Sequence, residues 1–300
     1  MAPHSSTDMS SSTATDQVAT KKHWVPHAKT DKTALEAISQ GVPLAGIPKF
    51  PSFHEERTHI LEHMAAAFRI FARKGFNEGM SGHISIRDPE NIHTFWTNPL
   101  GRPWPLMRAS DMVLVDYSGQ AVGGNMSRPS NAAGFLIHSA LHKARPDVNA
   151  ACHTHSIYGK AWSTFGRPLE MISQDACIFY GKAQAVYEDF GGVVFDEDEG
   201  IRLAASLGAE GKVMTLTNHG LLTVGQTVDE AAYLFTLMEK SCQIQLMVEA
   251  AAANGIPKRI VDDAVAAYTF EMTSSPDSLY CEFQPEFEVE DALSNGDFRK

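Results

Sequence analysis

The sequence predicts a single α/β or α+β core, and three observations carry that expectation. Two long stretches, one from Ser52 to about Lys74 and one beginning at Thr227, repeat apolar residues at helical spacing. Between them lie short runs rich in β-branched and aromatic residues, each bounded by turn chemistry. These elements do not alternate in the regular βαβ order of a doubly wound sheet, and no internal repeat is visible.

The elements follow in order. Residues 1–35 are rich in Ser, Thr, Asp and Lys without an apolar period, so they read as a flexible arm, with order beginning near Pro43. Ser52 followed by Glu55 resembles a capping box, and Ile60, Met64, Phe68 and Phe71 form the stripe behind it. From Asn77 to Val122 the pattern becomes a meander of short strands, at His83–Ile86, Thr94–Thr97 and Met112–Asp116. The intervening Asn98–Pro105 holds three prolines and predicts a stiff loop. Trp96 and Trp104, in and beside it, read as pocket-lining residues or as hydrophobic anchors. Asn131 caps a helix that stops before Arg145-Pro146, because the residue preceding a proline avoids the helical region. Val148–Cys152, Lys212–Thr217 and Leu221–Val224 are further strands, and Thr227 with Glu230 opens a long helix through Leu234, Met238 and Cys242. The folded domain is therefore expected over 36–275. Residues 276–300 read as an acidic tail, packed on a neighbouring subunit or loose.

Composition excludes several functional classes. The 300 residues carry 36 acidic against 25 basic side chains, a net charge of −11 that repels nucleic acid. Four scattered cysteines form neither a disulfide framework nor a CxxC pair, which fits a cytoplasmic protein. No apolar run is long enough for a membrane span.

Histidine carries the chemical signal. His153 and His155 stand two apart at the end of a strand, so both imidazoles point to one face. His219, in a turn between two strands, completes a triad if those strands neighbour Val148–Cys152. Three imidazoles with an open position make a divalent metal a Lewis acid. From spacing alone, hydrogen-bonded core histidines fit equally well. His138 and His142, on an inner helix face, read as buried packing residues.

Three motifs carry a family resemblance. Ala144-Arg-Pro-Asp-Val-Asn-Ala-Ala-Cys-His-Thr-His-Ser156, Thr217-Asn-His-Gly-Leu-Leu-Thr-Val-Gly225 and Gly75-Phe-Asn-Glu-Gly-Met-Ser-Gly-His-Ile-Ser-Ile86 resemble, in order and spacing, motifs of the class II aldolase and adducin family. The resemblance implies a three-layer α/β/α sandwich with a central, mostly antiparallel sheet, assembled as a homotetramer. It also implies that His153, His155 and His219 are the ligands of a divalent metal, zinc first, with iron or manganese as alternatives.

Departures from the family pattern bear on function. Aldolases of this family carry a Ser-Ser-Glu run whose glutamate lies four residues before the histidine matched by His138; here the run reads Ala132-Ala133-Gly134. The proton-transferring carboxylate and the serines of the phosphate cradle are both missing. His83 stands where sugar-phosphate aldolases have asparagine. The resemblance thus points to an unphosphorylated small carbonyl or carboxylic acid, cleaved by a retro-aldol step or decarboxylated, both of which pass through an enolate. Asp175, Tyr180 and His83 are the candidate catalytic groups. Asp175 also reads as a turn or capping carboxylate, and His83 as a polar strand residue. A non-catalytic adducin-like interaction module and an iron-dependent oxygenase on the same triad are the alternatives.

Overall fold

A computed structural model describes residues 32–192 and 197–300. Eight strands build one sheet: β1 (His83–Arg87), β2 (Thr94–Thr97), β3 (Val113–Asp116), β4 (Ala121–Gly124), β5 (Ala150–Thr154), β6 (Gln184–Tyr187), β7 (Val213–Leu216) and β8 (Gly220–Gly225). Their order is β4-β3-β2-β1-β5-β8-β7-β6, with every pair antiparallel except β6–β7. The helices are α1 (Ala34–Ile38), α2 (Phe53–Arg73), α3 (Ala132–Ala144), α4 (Ile157–Ser163), α5 (Glu197–Leu207), α6 (Val228–Ala253), α7 (Asp263–Thr273) and α8 (Pro276–Ser294).

Side-chain alternation along the strands separates two apolar layers. Ile84, Ile86, Ala150 and Cys152 face α2, α4, α6 and α8, where they meet Phe68, Trp162, Phe235 and Phe283. Ala151, Leu222, Val224 and Met214 face α3 and α5, against Ile137, Leu141, Leu203 and Leu207. The sheet covered on both faces is the expected three-layer α/β/α sandwich. Three cap readings hold in atomic detail. Ser52 Oγ accepts from the Glu55 amide, Asn131 Oδ1 from Gly134 and Thr227 Oγ1 from Glu230, at 3.1–3.3 Å.

Two segment boundaries differ from the sequence expectation. Within the expected arm of residues 1–35, 1–31 lie outside the described residues, but Thr33 and Glu36 form a capping box at the head of α1. The expected acidic tail is part of the fold. Residues 276–294 form α8, which packs on α2 and α6 and buries Phe283 and Phe287. Phe298, just beyond it, is fully buried, and Asp297 accepts from the Arg69 and Arg108 guanidinium groups at 2.8–3.1 Å. Acidic residues disguised this helix in the sequence because they are its paired face: Glu286 meets Lys74 and Arg73, and Glu290 meets Arg73. Trp96 and Trp104 prove to be anchors. Trp96 donates its indole N–H to Asp88 at 2.8 Å, and Trp104 packs edge-on to Phe68 with ring centroids 4.9 Å apart.

Candidate metal centre

Antiparallel pairing of β1 with β5 sets His83 directly opposite His153, and β8 lies on the other flank of β5 with Leu222 opposite His153. His155 follows β5 where the chain leaves the sheet. The turn from β7 to β8 holds Asn218 in the left-handed region, φ 58°, which Asn tolerates, and this aims His219 at the end of β5. The three rings of His153, His155 and His219 stand 4.7–5.2 Å apart between centroids. One nitrogen from each falls within 4.8 Å of the others, and the Nε2 atoms of His155 and His219 are 3.1 Å apart.

The donor set fits a divalent metal on two counts. Burial pushes all three imidazoles below the usual histidine range, His219 to about 4, so each is neutral at pH 7 and offers a lone pair. His153 Nδ1 lies 2.8 Å from the Leu221 carbonyl oxygen, which can only accept, so Nδ1 carries the proton and Nε2 is left with a lone pair. A histidine ligand is oriented in this way by a partner on its other nitrogen.

The loop after His155 is fixed by a buried carboxylate. Glu239 of α6 accepts from the amides of Tyr158 and Gly159 at 2.8 and 2.7 Å, at the N-terminus of α4, and from Ser156 Oγ. Glu78, from the glycine-rich entry to β1, pairs with Lys160 at 2.7 Å, and its charge acts on His155. No spacing in the sequence signals either acid, because each reaches the site from a different element.

His83 sits beside the triad, its ring 5.0 Å from that of His153. Behind it runs a chain of hydrogen bonds. His83 Nδ1 is 2.9 Å from His138 Nε2, His138 Nδ1 is 2.7 Å from Ser85 Oγ, Ser85 Oγ is 2.8 Å from His142 Nε2, and His142 Nδ1 is 3.3 Å from the Val148 carbonyl. The carbonyl sets the polarity of the whole row. It can only accept, so His142 donates from Nδ1 and accepts from Ser85 at Nε2. Ser85 in turn accepts from His138, and His138 accepts from His83 Nδ1. His83 Nε2 is therefore the unprotonated nitrogen.

Gly134 explains how this ring fits. A Cβ at position 134 would lie 2.3 Å from His83 Cδ2 and 2.7 Å from Nε2. The two departures noted in the sequence, glycine at 134 and histidine at 83, are thus one steric unit. At Gly82, φ 93° and the Trp104 ring 2.7 Å from where a Cβ would stand make glycine the residue that brings β1 in.

Asp175 and Tyr180 are not brought to this centre within the chain. Asp175 is exposed at the head of a single 3₁₀ turn, Asp175–Phe179, that packs on α6 and α7. Tyr180 packs with Met171, Cys177 and Ala266. Among the described residues no hydrogen bond or ring contact links either to the histidines. Burial of Ala176, Cys177, Ile178 and Phe179 decides where this stretch lies, and the sequence motif gave no sign of that.

The buried imidazoles predict acid lability. Burial first, and then the Arg87 charge, hold His142 at about 3, and burial likewise depresses His138. An unfolded histidine titrates near 6.5. The unfolded chain therefore takes up protons that the folded chain refuses. For His142 the stabilisation is complete above about pH 6.5 and is lost as pH falls toward 3, at about 1.4 kcal/mol per pH unit, and His138 adds a loss of the same sign. Denaturant unfolding at pH 7 and pH 5 should show this loss, and His142→Gln should flatten the slope.

The α/β/α sandwich thus gathers at one sheet end three neutral imidazoles that could hold a metal ion. Residues 62–246 match the family described as Class II Aldolase and Adducin N-terminal domain, and the chain belongs to that family. It is 46% identical over 254 residues to the Meiotically up-regulated gene 14 protein of Schizosaccharomyces pombe, a match covering 85% of this chain and 97% of that one. It is 42% identical over 215 residues to Decarboxylase NovR of Streptomyces niveus, covering 71% of this chain and 77% of that one. Among solved structures, one described as L-fuculose 1-phosphate aldolase from Glaciozyma antarctica PI12 matches with a TM-score of 0.76 at 42% identity, covering 85% and 97% of the two chains. No helix among the described residues is long and apolar enough to cross a membrane.

Proposed function

We propose that this chain is a metal-dependent, lyase-like enzyme in which His153, His155 and His219 hold a divalent metal, zinc in the first instance with iron or manganese as alternatives. Its substrate is an unphosphorylated small carbonyl compound or carboxylic acid, cleaved in a retro-aldol step or decarboxylated, and its working form is a cytoplasmic homotetramer. The observation that carries the reading is the convergence of three neutral imidazoles, one of them committed through Nδ1 to a backbone carbonyl. The decarboxylase among its relatives supports the reaction class. Absence of a side chain at Gly134, where the aldolases carry their glutamate, argues against the sugar-phosphate chemistry of its structural relative.

A bound divalent metal supplies Lewis acidity to a carbonyl or carboxylate oxygen. Protein groups do the rest. His83 Nε2 is the proton acceptor beside the site, standing in for the missing carboxylate. The row through His138, Ser85 and His142 holds its tautomer. Glu239 fixes the backbone that carries His155.

Elemental mass spectrometry of the purified protein and of His153→Ala tests the reading. Loss of about one metal per chain in the variant, together with loss of turnover, is the expected result, and the identity of that metal selects lyase or oxygen-consumption assays. Equal metal content in parent and variant, after incubation with zinc or iron, would overturn the enzyme reading in favour of an interaction module.

A further inference from the structure

On the opposite face of the sheet, α2 and α6 bring together a second group of donors that the proposed reaction does not use. His59 and His63 are one helical turn apart on α2, so they share a face. Their rings lie 3.8 Å apart, tilted by 36°. Asp229, in the first turn of α6, faces them with its Oδ1 2.6 Å from His63 Nδ1 and 2.8 Å from the Gln284 side-chain nitrogen. His63 and Asp229 are buried, at 5% and 2% exposure, while His59 is half-buried. A cavity of about 300 Å³ opens beside all three, lined also by Phe50, Glu56 and Asp88.

The His63–Asp229 pair alone reads as a structural hydrogen bond. His59 does not fit that reading, since neither of its ring nitrogens has a hydrogen-bond partner among the described residues. Its neighbouring cation, Arg299, is engaged by Glu62 and Asp291. One donor atom from each of His59, His63 and Asp229 lies within 4.8 Å of the others. Two imidazoles and one carboxylate, facing a cavity, are a ligand set that suits a borderline divalent ion with one position left for water or a small anion.

We propose that His59, His63 and Asp229 form a second divalent-metal site, of zinc-type preference, that clamps α2 to the start of α6. It is independent of the triad at His153. The carboxylate supplies the charge that a buried cation needs, and Gln284 orients it from α8. The cavity supplies the entry path and the open coordination position.

The experiment is a zinc titration of chelator-stripped protein, read by elemental mass spectrometry and by the visible absorption of the cobalt(II)-substituted form. Parent, His59→Ala, His153→Ala and the double variant are compared, with near-ultraviolet circular dichroism confirming native packing. The expected result is loss of about one ion per chain in each single variant and of both in the double variant. Asp229→Asn, which keeps the side-chain shape, should weaken the second site at least tenfold. The proposal is overturned if His59→Ala binds as much zinc as the parent, or if His153→Ala removes all of it. Since His59→Ala leaves the triad intact, failure here is distinguishable from failure of the proposed function.

Discussion

Gly134→Ala is expected to lower turnover by about 10²–10⁴-fold while leaving metal content unchanged. The added methyl group would stand 2.3 Å from the His83 ring, so the ring must move. Its way back is closed by His138, 2.9 Å behind it. Displacement breaks the row that keeps Nε2 unprotonated, and overpacking adds a stability cost of about 1–3 kcal/mol. His83→Asn makes room for the methyl group. The double variant should therefore recover most of the lost stability but none of the turnover, with a coupling of about 1–2 kcal/mol between the sites. Denaturant unfolding of the four proteins measures that coupling, and purely additive costs would show that the two positions do not act as one unit.

Removal of residues 276–300 is expected to abolish folding. Phe283, Phe287 and Phe298 are each at most 9% exposed and would leave the core together. At about 1.5–3 kcal/mol for each large apolar side chain the loss is roughly 5–9 kcal/mol, against about 5–15 kcal/mol for a whole domain. Arg69 would also lose Asp297 and Glu290 while itself only 7% exposed, and an unpaired buried cation adds to the deficit. The shortened chain should be recovered insoluble or without a cooperative thermal transition. A soluble product unfolding with the parent midpoint would show that α8 is dispensable.

Much of this architecture was legible from the residues because the signals were local. Ser52, Asn131 and Thr227 announce helices through their own side chains, and the three histidine-bearing motifs carry enough order and spacing to identify the family. Glycine at 134 and histidine at 83 were visible as separate departures. Their mutual contact was not, since it depends on α3 crossing β1 at one height. The candidacies of Asp175 and Tyr180 rested on motif position alone, and neighbouring apolar burial put both elsewhere. Acidic residues in α8 suggested solvation, whereas their partners, Lys74, Arg73 and Arg69, lie two hundred residues away. Similarly, His59 and His63 on α2 carry no spacing signal toward Asp229, which reaches them from α6.

The sheet order has a consequence for the time course of folding. Besides its sequence neighbour β2, β1 pairs with the distant β5, and β5 pairs in turn with β8. His153 and His155 sit together at the end of β5, but His219 comes from the distant β7–β8 turn, so the triad closes only when β5 and β8 pair. Closing such long loops is entropically costly and slow. Metal capture should therefore be a late event that reports completion of the central sheet, and added zinc should slow unfolding far more than it speeds refolding.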